Sequence, residues 1–341
     1  MAEGTTGVAG KRSASAEGSA SGPPLLRASA FPRGPVTVRG TGPDALSNLI
    51  AVLELAADGQ VRCSAATRRP LAATVRLVED VLVTGDYYDR TDRRGAGEPI
   101  AAFAWPMLLQ AGGLGRLSGS WLELTPRGEA VLAQPSYQAL GALWERWLRS
   151  VSQDEFSRIE AIRGQCRTGT LTAPARRRAA LADGLAALMP GVWVEVDALF
   201  AVLRAQPAPL VVAASPLTRW RLYLGDPRHG SLGPAGWRSW NVLEGRYALC
   251  ALFEYAATLG VVDVAYTAAP GARDDYRELW GADGYASLSR YDGLAAVRVN
   301  ELGAAILHDP GTLPALGLPL PRRFPGNTRA APPAPASKAG R

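Results

Sequence analysis

Few residues in this chain have the type and spacing that covalent chemistry requires. Lysine occurs only at Lys11 and Lys338, each within a stretch rich in small residues and proline. A phosphate-cradling loop needs a lysine beside its glycines, and Schiff-base or Ser-x-x-Lys chemistry needs one in the folded body. Gly112, Gly113, Gly115 and Gly119 therefore read as a helix stop followed by a hairpin turn. Zinc requires three or four Cys, His or carboxylate ligands at short spacing. His229 and His308 stand apart, and the closest pair of cysteines, Cys166 and Cys250, is separated by 84 positions. Cys63 follows Arg62, a neighbour that would lower a thiol pKa, but a lone cysteine is a weak nucleophile. Asp274-Asp275 has the carboxylates for acid–base work without a companion base, and reads as a solvated helix start. No catalytic residue, metal site or cofactor is expected, and the chain reads as a non-enzyme.

The remaining chemistry is recognition. Arg62, Arg68, Arg69 and Arg76, with Thr67 and Thr74, surround the start of a segment in which Leu71, Val75, Val78 and Leu82 form one apolar helical face. Arg93 and Arg94 follow in a loop, and Arg116 flanks a candidate hairpin. The forked donors of arginine suit phosphates and guanine edges of double-stranded DNA. Glu79 and Asp80 on the same helix oppose that use. Charge distribution opposes it too. Of 37 basic and 31 acidic residues, 1–39 hold five and two, and 311–341 hold five and none. Residues 40–310 are thus left with 27 basic against 29 acidic residues, so the +6 of the whole chain belongs to its ends. Arg176-Arg177-Arg178 opens a helix against its dipole and reads as a solvated face. A second set, Trp237, Trp240, Tyr276, Trp280, Tyr285 and Tyr291, has the aromatic character of interface anchors.

The elements that must position these groups are mainly helices with small β-hairpins, an α+β class. Residues 1–40 and 309–341 are Ala-, Gly-, Ser- and Pro-rich and are expected to be disordered. A helix-turn-helix-like module is expected over 41–97. Residues 98–150 read as helix, hairpin, helix and a strong amphipathic helix, with Pro106 breaking or kinking the first of them. Residues 151–209 read as a helical or winged middle module with helices at 154–165 and 175–188. Residues 210–308 read as a C-terminal module carrying a polar insertion at 267–290, with a strand over Arg219–Leu224. Sparse cysteines and the absence of a long apolar stretch predict a cytoplasmic protein without membrane contact.

Two segments repeat one order of events. Leu122–Leu132 (LELTPRGEAVL) and Val297–Leu307 (VRVNELGAAIL) each pass from alternation to a cap residue, Thr125 or Asn300, with a glycine three positions on, Gly128 or Gly303. Each is preceded by a helix that stops at glycine, Gly112-Gly113 or Gly260, before a strand.

On Leu114–Leu132 (LGRLSGSWLELTPRGEAVL), Leu243–Gly260 (LEGRYALCALFEYAATLG) and Leu288–Gly303 (LSRYDGLAAVRVNELG), the chain resembles a family of large, poorly characterised bacterial proteins with tandem winged-helix modules. The resemblance covers 43–310 and implies a fold without implying a reaction. By fold-level analogy it implies a DNA-binding regulator or accessory factor, with a protein–protein adaptor, or self-association, as the alternative.

Overall fold

The structure is a computed structural model that describes Met1 and residues 35–88, 99–228, 230–233 and 237–316, with backbone alone at 237, 238, 314 and 315. It is a mixed α/β fold in which every strand pair is antiparallel.

Helix α1 (Gly42–Ala57) forms because Leu46, Leu49, Leu53 and Ala56 recur on one side, and all are buried. Gly59, at φ +66°, reverses the chain after it. The next stretch, 61–63, lies along β3 (Trp121–Leu124): Leu122 N–H donates to Val61 O at 2.9 Å, and Cys63 N–H donates to Ser120 O at 2.8 Å. Helix α2 (Ala72–Val81) follows, then α3 (Ala101–Ala111), which ends at Gly112 and Gly113. Strands β2 (Gly115–Ser118) and β3 close a tight hairpin, and α4 (Pro126–Ala133) starts at the Thr125 cap.

The same order recurs. Helix α6 (Pro174–Ala186), β5 (Trp193–Glu195) and α7 (Val196–Ala205) lead, after an excursion through α8 (Pro216–Arg219), to one helical run at 237–256. That run comprises α9 (Trp237–Trp240), a π-helical segment (Asn241–Gly245), α10 (Arg246–Cys250) and a second π-helical segment (Ala251–Ala256). Strands β7 (Val262–Tyr266) and β8 (Leu294–Val299) then pair, and α11 (Glu301–His308) starts at the Asn300 cap. In both halves the extended piece after the first helix pairs with the last strand: 61–63 with β3, and β5 with β8.

The repeat extends to atomic detail. Gly113 (φ +67°) and Gly260 (φ +76°) end their helices, and the next residue's N–H returns to a carbonyl five positions earlier, Leu114 to Leu109 and Val261 to Ala256, both at 2.9 Å. The Thr125 hydroxyl accepts from Gly128 N–H, and the Asn300 amide oxygen accepts from Gly303 N–H. Gly128 sits against the Leu114 carbonyl, and Gly303 against that of Val261. Glycine is needed at both positions because no side chain fits between helix and strand.

The halves interlock. Strand β1 (Thr37–Arg39) joins β7, giving a four-stranded sheet in the order β1-β7-β8-β5. Buried Asp263 on β7 accepts from Thr41 N–H at 3.0 Å and from the Asn300 amide at 2.8 Å, and pairs with Arg298. Helix α3 packs on the Ala251–Ala256 segment, and α5 (Tyr137–Arg149) on both α3 and α6.

Several sequence expectations are corrected. The tail boundaries move: Thr37–Arg39 is a strand because β7 offers an open edge, and Pro310–Ala315 is a 3₁₀ turn that buries Leu313 beside Gly141. For 2–34 and 317–341 the expected disorder lies outside the described residues. Pro106 does not break α3. Proline removes one i→i−4 bond, and the burial of Ala101 through Gln110 holds the helix intact. The helix expected at 154–165 is a 3₁₀ turn (Glu155–Arg158) followed by β4 (Ile162–Arg163), which pairs with β6 (Tyr223–Leu224). Arg219–Leu224 is not one strand, because a Ser215–Thr218 capping box coils its start into α8. Among the described residues, no helix is long and apolar enough to cross a membrane.

Candidate functional site

In a helix-turn-helix, the second helix of the pair enters the major groove. Read as winged-helix modules, the element order would make those helices α3 and the 237–256 run, whereas the sequence set its arginines around α2. Neither α3 nor that run is available. Ala101 through Gln110 are all buried, and so is every residue from Asn241 to Ala256. A helix buried on every side belongs to a core, and these two bury each other.

Buried salt bridges line this seam. The buried Arg158 guanidinium holds both oxygens of buried Glu254 through Nε, at 3.1 and 3.0 Å, and stacks 3.5 Å from the centre of the Phe103 ring. Tyr291 O–H donates to the same carboxylate. Arg178 pairs with Glu155 and donates to the carbonyls of Trp147, Ser150 and Gln153, while Trp147 Nε1–H donates to Glu155 at 2.9 Å. Arg177 grips Asp154 with two bonds, at 2.9 and 2.6 Å. The reading of Arg176–Arg178 as a solvated face is thus corrected: only Arg176 is exposed, because helix α6 turns the next two side chains into the seam.

The insertion between β7 and β8 is held the same way. Buried Arg246 pairs with Asp275 and Asp292. Asp275 is therefore no solvated helix start. Burial acts to raise its carboxyl pKa, but Arg246 and Arg273 outweigh it and hold the group below its ordinary value. A depressed folded pKa contributes stability above the unfolded value of about 3.9 and loses it as pH falls through the folded value. The gap in urea midpoint between the native chain and Asp275→Asn is accordingly expected to narrow between pH 6 and pH 3. A gap that stays constant over that range would contradict the pairing.

The arginine set expected to meet DNA divides. Arg62, Arg68 and Arg76 are exposed and Arg69 is half-buried, and none of the four is ion-paired among the described residues. Arg62 stacks over the exposed Trp121 ring at 4.7 Å and donates to Ser120 Oγ. Arg68 adopts φ +62° and is held by Gln110, while Arg69 donates to Ser157. Thr67 is exposed, and Arg116 lies near Glu123 at 3.9 Å. Thr74 is a correction: it is buried, and its hydroxyl exchanges hydrogen bonds with the Arg62 backbone, so it ties α2 to the 61–63 stretch. Arg93 and Arg94 lie outside the described residues, as does His229.

The aromatic set also divides. Tyr276 and Tyr291 are buried, which removes them as partner anchors: Tyr276 O–H donates to Tyr285 O, and Tyr291 serves Glu254. Trp280 is exposed, and Tyr285 and Trp240 are half-buried. The side chain of Trp237 lies outside the described residues. Leu217 and Trp220 on and beside α8 are exposed; the sequence marks Trp220, with Trp237 and Trp240, as a core or interface anchor and gives no signal at Leu217.

A cleft of about 560 Å³ opens beside Trp240, lined by Leu210, Val211, Ala213, Ala214, Pro209 and Pro216 and floored by the Arg219–Glu244 pair. In the sequence the aliphatic wall of the cleft begins where the middle module is expected to end, at residue 209. The apolar run Leu210–Ala214 between prolines was the one available signal.

Two of the three cysteines, Cys63 and Cys250, are buried. Burial pushes the Cys63 thiol up to about 11, with Arg68 offsetting only part, contrary to the lowering expected from Arg62. Cys250 is also buried and raised by burial, while Cys166 is exposed. Ellman's reagent is expected to titrate one thiol per native chain and three after denaturation. Fast reaction of two or more native thiols would contradict the packing. No group of three or more His, Cys, Asp or Glu side chains able to hold a metal occurs among the described residues.

No family model, curated protein or solved structure matches the chain.

Proposed function

We propose that this chain is a tandem winged-helix protein acting as a non-enzymatic protein-interaction adaptor. The repeated order of helix, strand, helix, helix, two strands and helix supports the winged-helix reading, as does the pairing of first and last strand in each half. The observation that carries the adaptor reading is the mutual burial of α3 and the 237–256 run. These helices would have to face a groove, and exposing them would break the Arg158–Glu254 pair. The exposed anchors are instead Trp121, Trp220 and Trp280, of a residue type that dominates interface energies.

The test is selection from a random duplex pool with the full-length chain, beside crosslinking and mass spectrometry of its cellular contacts. The adaptor reading expects no enriched sequence and a defined crosslinked protein whose capture falls at least tenfold in Trp220→Ser/Trp280→Ser. A duplex bound more than about 10³-fold tighter than random DNA would overturn it.

A second reading rests on Arg62, Arg68, Arg69 and Arg76, four cations without carboxylate partners among the described residues. They suit a phosphate backbone, which positions a protein without specifying sequence. Changing Arg62, Arg69 and Arg76 to alanine would then flatten the salt dependence of DNA affinity. An unchanged slope assigns any binding to other basic residues.

A further inference from the structure

We infer that the cleft beside Trp240 is a binding site for an apolar small molecule bearing a single negative charge. Its volume, about 560 Å³, lies within the roughly 300–1,000 Å³ of small-molecule pockets. Its walls are aliphatic, from Leu210, Val211, Ala213, Ala214 and the rings of Pro209 and Pro216, with the Trp240 indole as the aromatic surface.

Charge bookkeeping in the cleft leaves one cation unmatched. Arg219 and Glu244 on the floor are both buried and neutralise each other through bonds from Nη1 to both carboxylate oxygens, at 3.2 Å. Val212 N–H adds a further bond to Glu244. Arg204 at the rim has no carboxylate partner among the described residues. It donates to the Asn241 amide at 3.0 Å and lies over the Trp240 ring at 4.9 Å. An anion entering over Trp240 would meet that guanidinium, while its apolar body displaced water from the aliphatic walls. On the floor Arg219 is 5% exposed, and its Nε–H has no hydrogen-bond acceptor among the described residues. A buried donor without a partner costs about 1–3 kcal/mol, a cost that an acceptor group from a ligand would relieve.

The cleft lies where the excursion after α7 returns to the helical run, and Trp240 and Glu244 belong to that run. An occupant would therefore touch the helix that α3 packs against further along. This proposal does not depend on the adaptor reading: it holds whether the chain binds protein, DNA backbone or neither.

The test uses a matched pair of fluorescent probes on the full-length chain. 1-Anilinonaphthalene-8-sulfonate carries the anion, and N-phenyl-1-naphthylamine has the same body without it. The anionic probe is expected to bind with one-to-one stoichiometry, about tenfold tighter than the neutral one. Arg204→Gln should abolish that tenfold preference and leave the neutral probe unchanged. Ala214→Trp, at an exposed lining position that leaves the core untouched, should block both probes, with far-UV circular dichroism confirming the fold. Equal affinities of the two probes, retention of the preference in Arg204→Gln, or binding that survives Ala214→Trp would each overturn the assignment.

Discussion

Glu254→Ala is expected to destabilise the fold by about 3–5 kcal/mol, the cost of leaving one buried charge without its partner. Arg158 would keep its positive charge beside Phe103, with the Pro99 carbonyl still accepting from it. Tyr291 would lose its acceptor in the same step. Against a typical total of about 5–15 kcal/mol, this loss approaches global unfolding. Equilibrium denaturation followed by circular dichroism measures it. The double change Arg158→Met/Glu254→Leu should recover most of the loss, because removing both charges also removes their desolvation cost. A single-variant loss below about 1 kcal/mol would show that water reaches the pair and that the seam is not dry. The consequence for function is direct, since a seam that opens easily would release α3 for a groove.

Gly303→Ala and Gly128→Ala are expected to cost similar amounts, about 2–4 kcal/mol each, as overpacking against an immovable backbone. A Cβ at Gly303 would lie 1.9 Å from the Val261 carbonyl oxygen, and one at Gly128 would lie 2.2 Å from that of Leu114. Carbonyls that start strands cannot rotate away as a side chain can. Gly284→Ala, with open space around it, is the neutral control. Cap removal by Thr125→Ala or Asn300→Ala should cost about 1 kcal/mol. The order of effects is the informative result. If Gly303→Ala proves no worse than Asn300→Ala, the close approach of α11 to the start of β7 is wrong.

These two variants probe features of different legibility. The cap and glycine pairs were readable in the linear sequence because caps, N3 positions and helix stops are local: each is satisfied within about one turn. Alternation likewise placed the strands before Thr125 and Asn300 and those that follow Gly113 and Gly260. Thr74 shows the limit even at short range. Its type suggested an exposed hydroxyl, yet a stretch twelve residues away supplied both of its partners.

The charged seam was not legible at all. Arg158 and Glu254 are 96 positions apart, and Arg178 and Glu155 are 23 apart. Nothing in the spacing of Arg176–Arg178 distinguishes a solvated run from one whose second and third members are buried. The same limit governed the recognition residues. The amphipathic period of α2 put Val75, Val78 and Leu82 inside and Arg76 outside, but Thr74 and Glu79 are buried and Leu71 is exposed, and which helices lie inside depends on strand order. Whether a helix remains open depends on what packs over it.

The sequence by itself determined most of the helices and hairpins, the Thr125 and Asn300 caps and the internal repeat, because each rests on composition or on contacts within a few residues. Only the tertiary structure decided that the two inner helices cover each other, that the buried arginines each find a carboxylate, and that a cleft opens beside Trp240. Those outcomes come from long-range burial, where desolvation forces distant charges together and leaves no trace in local spacing.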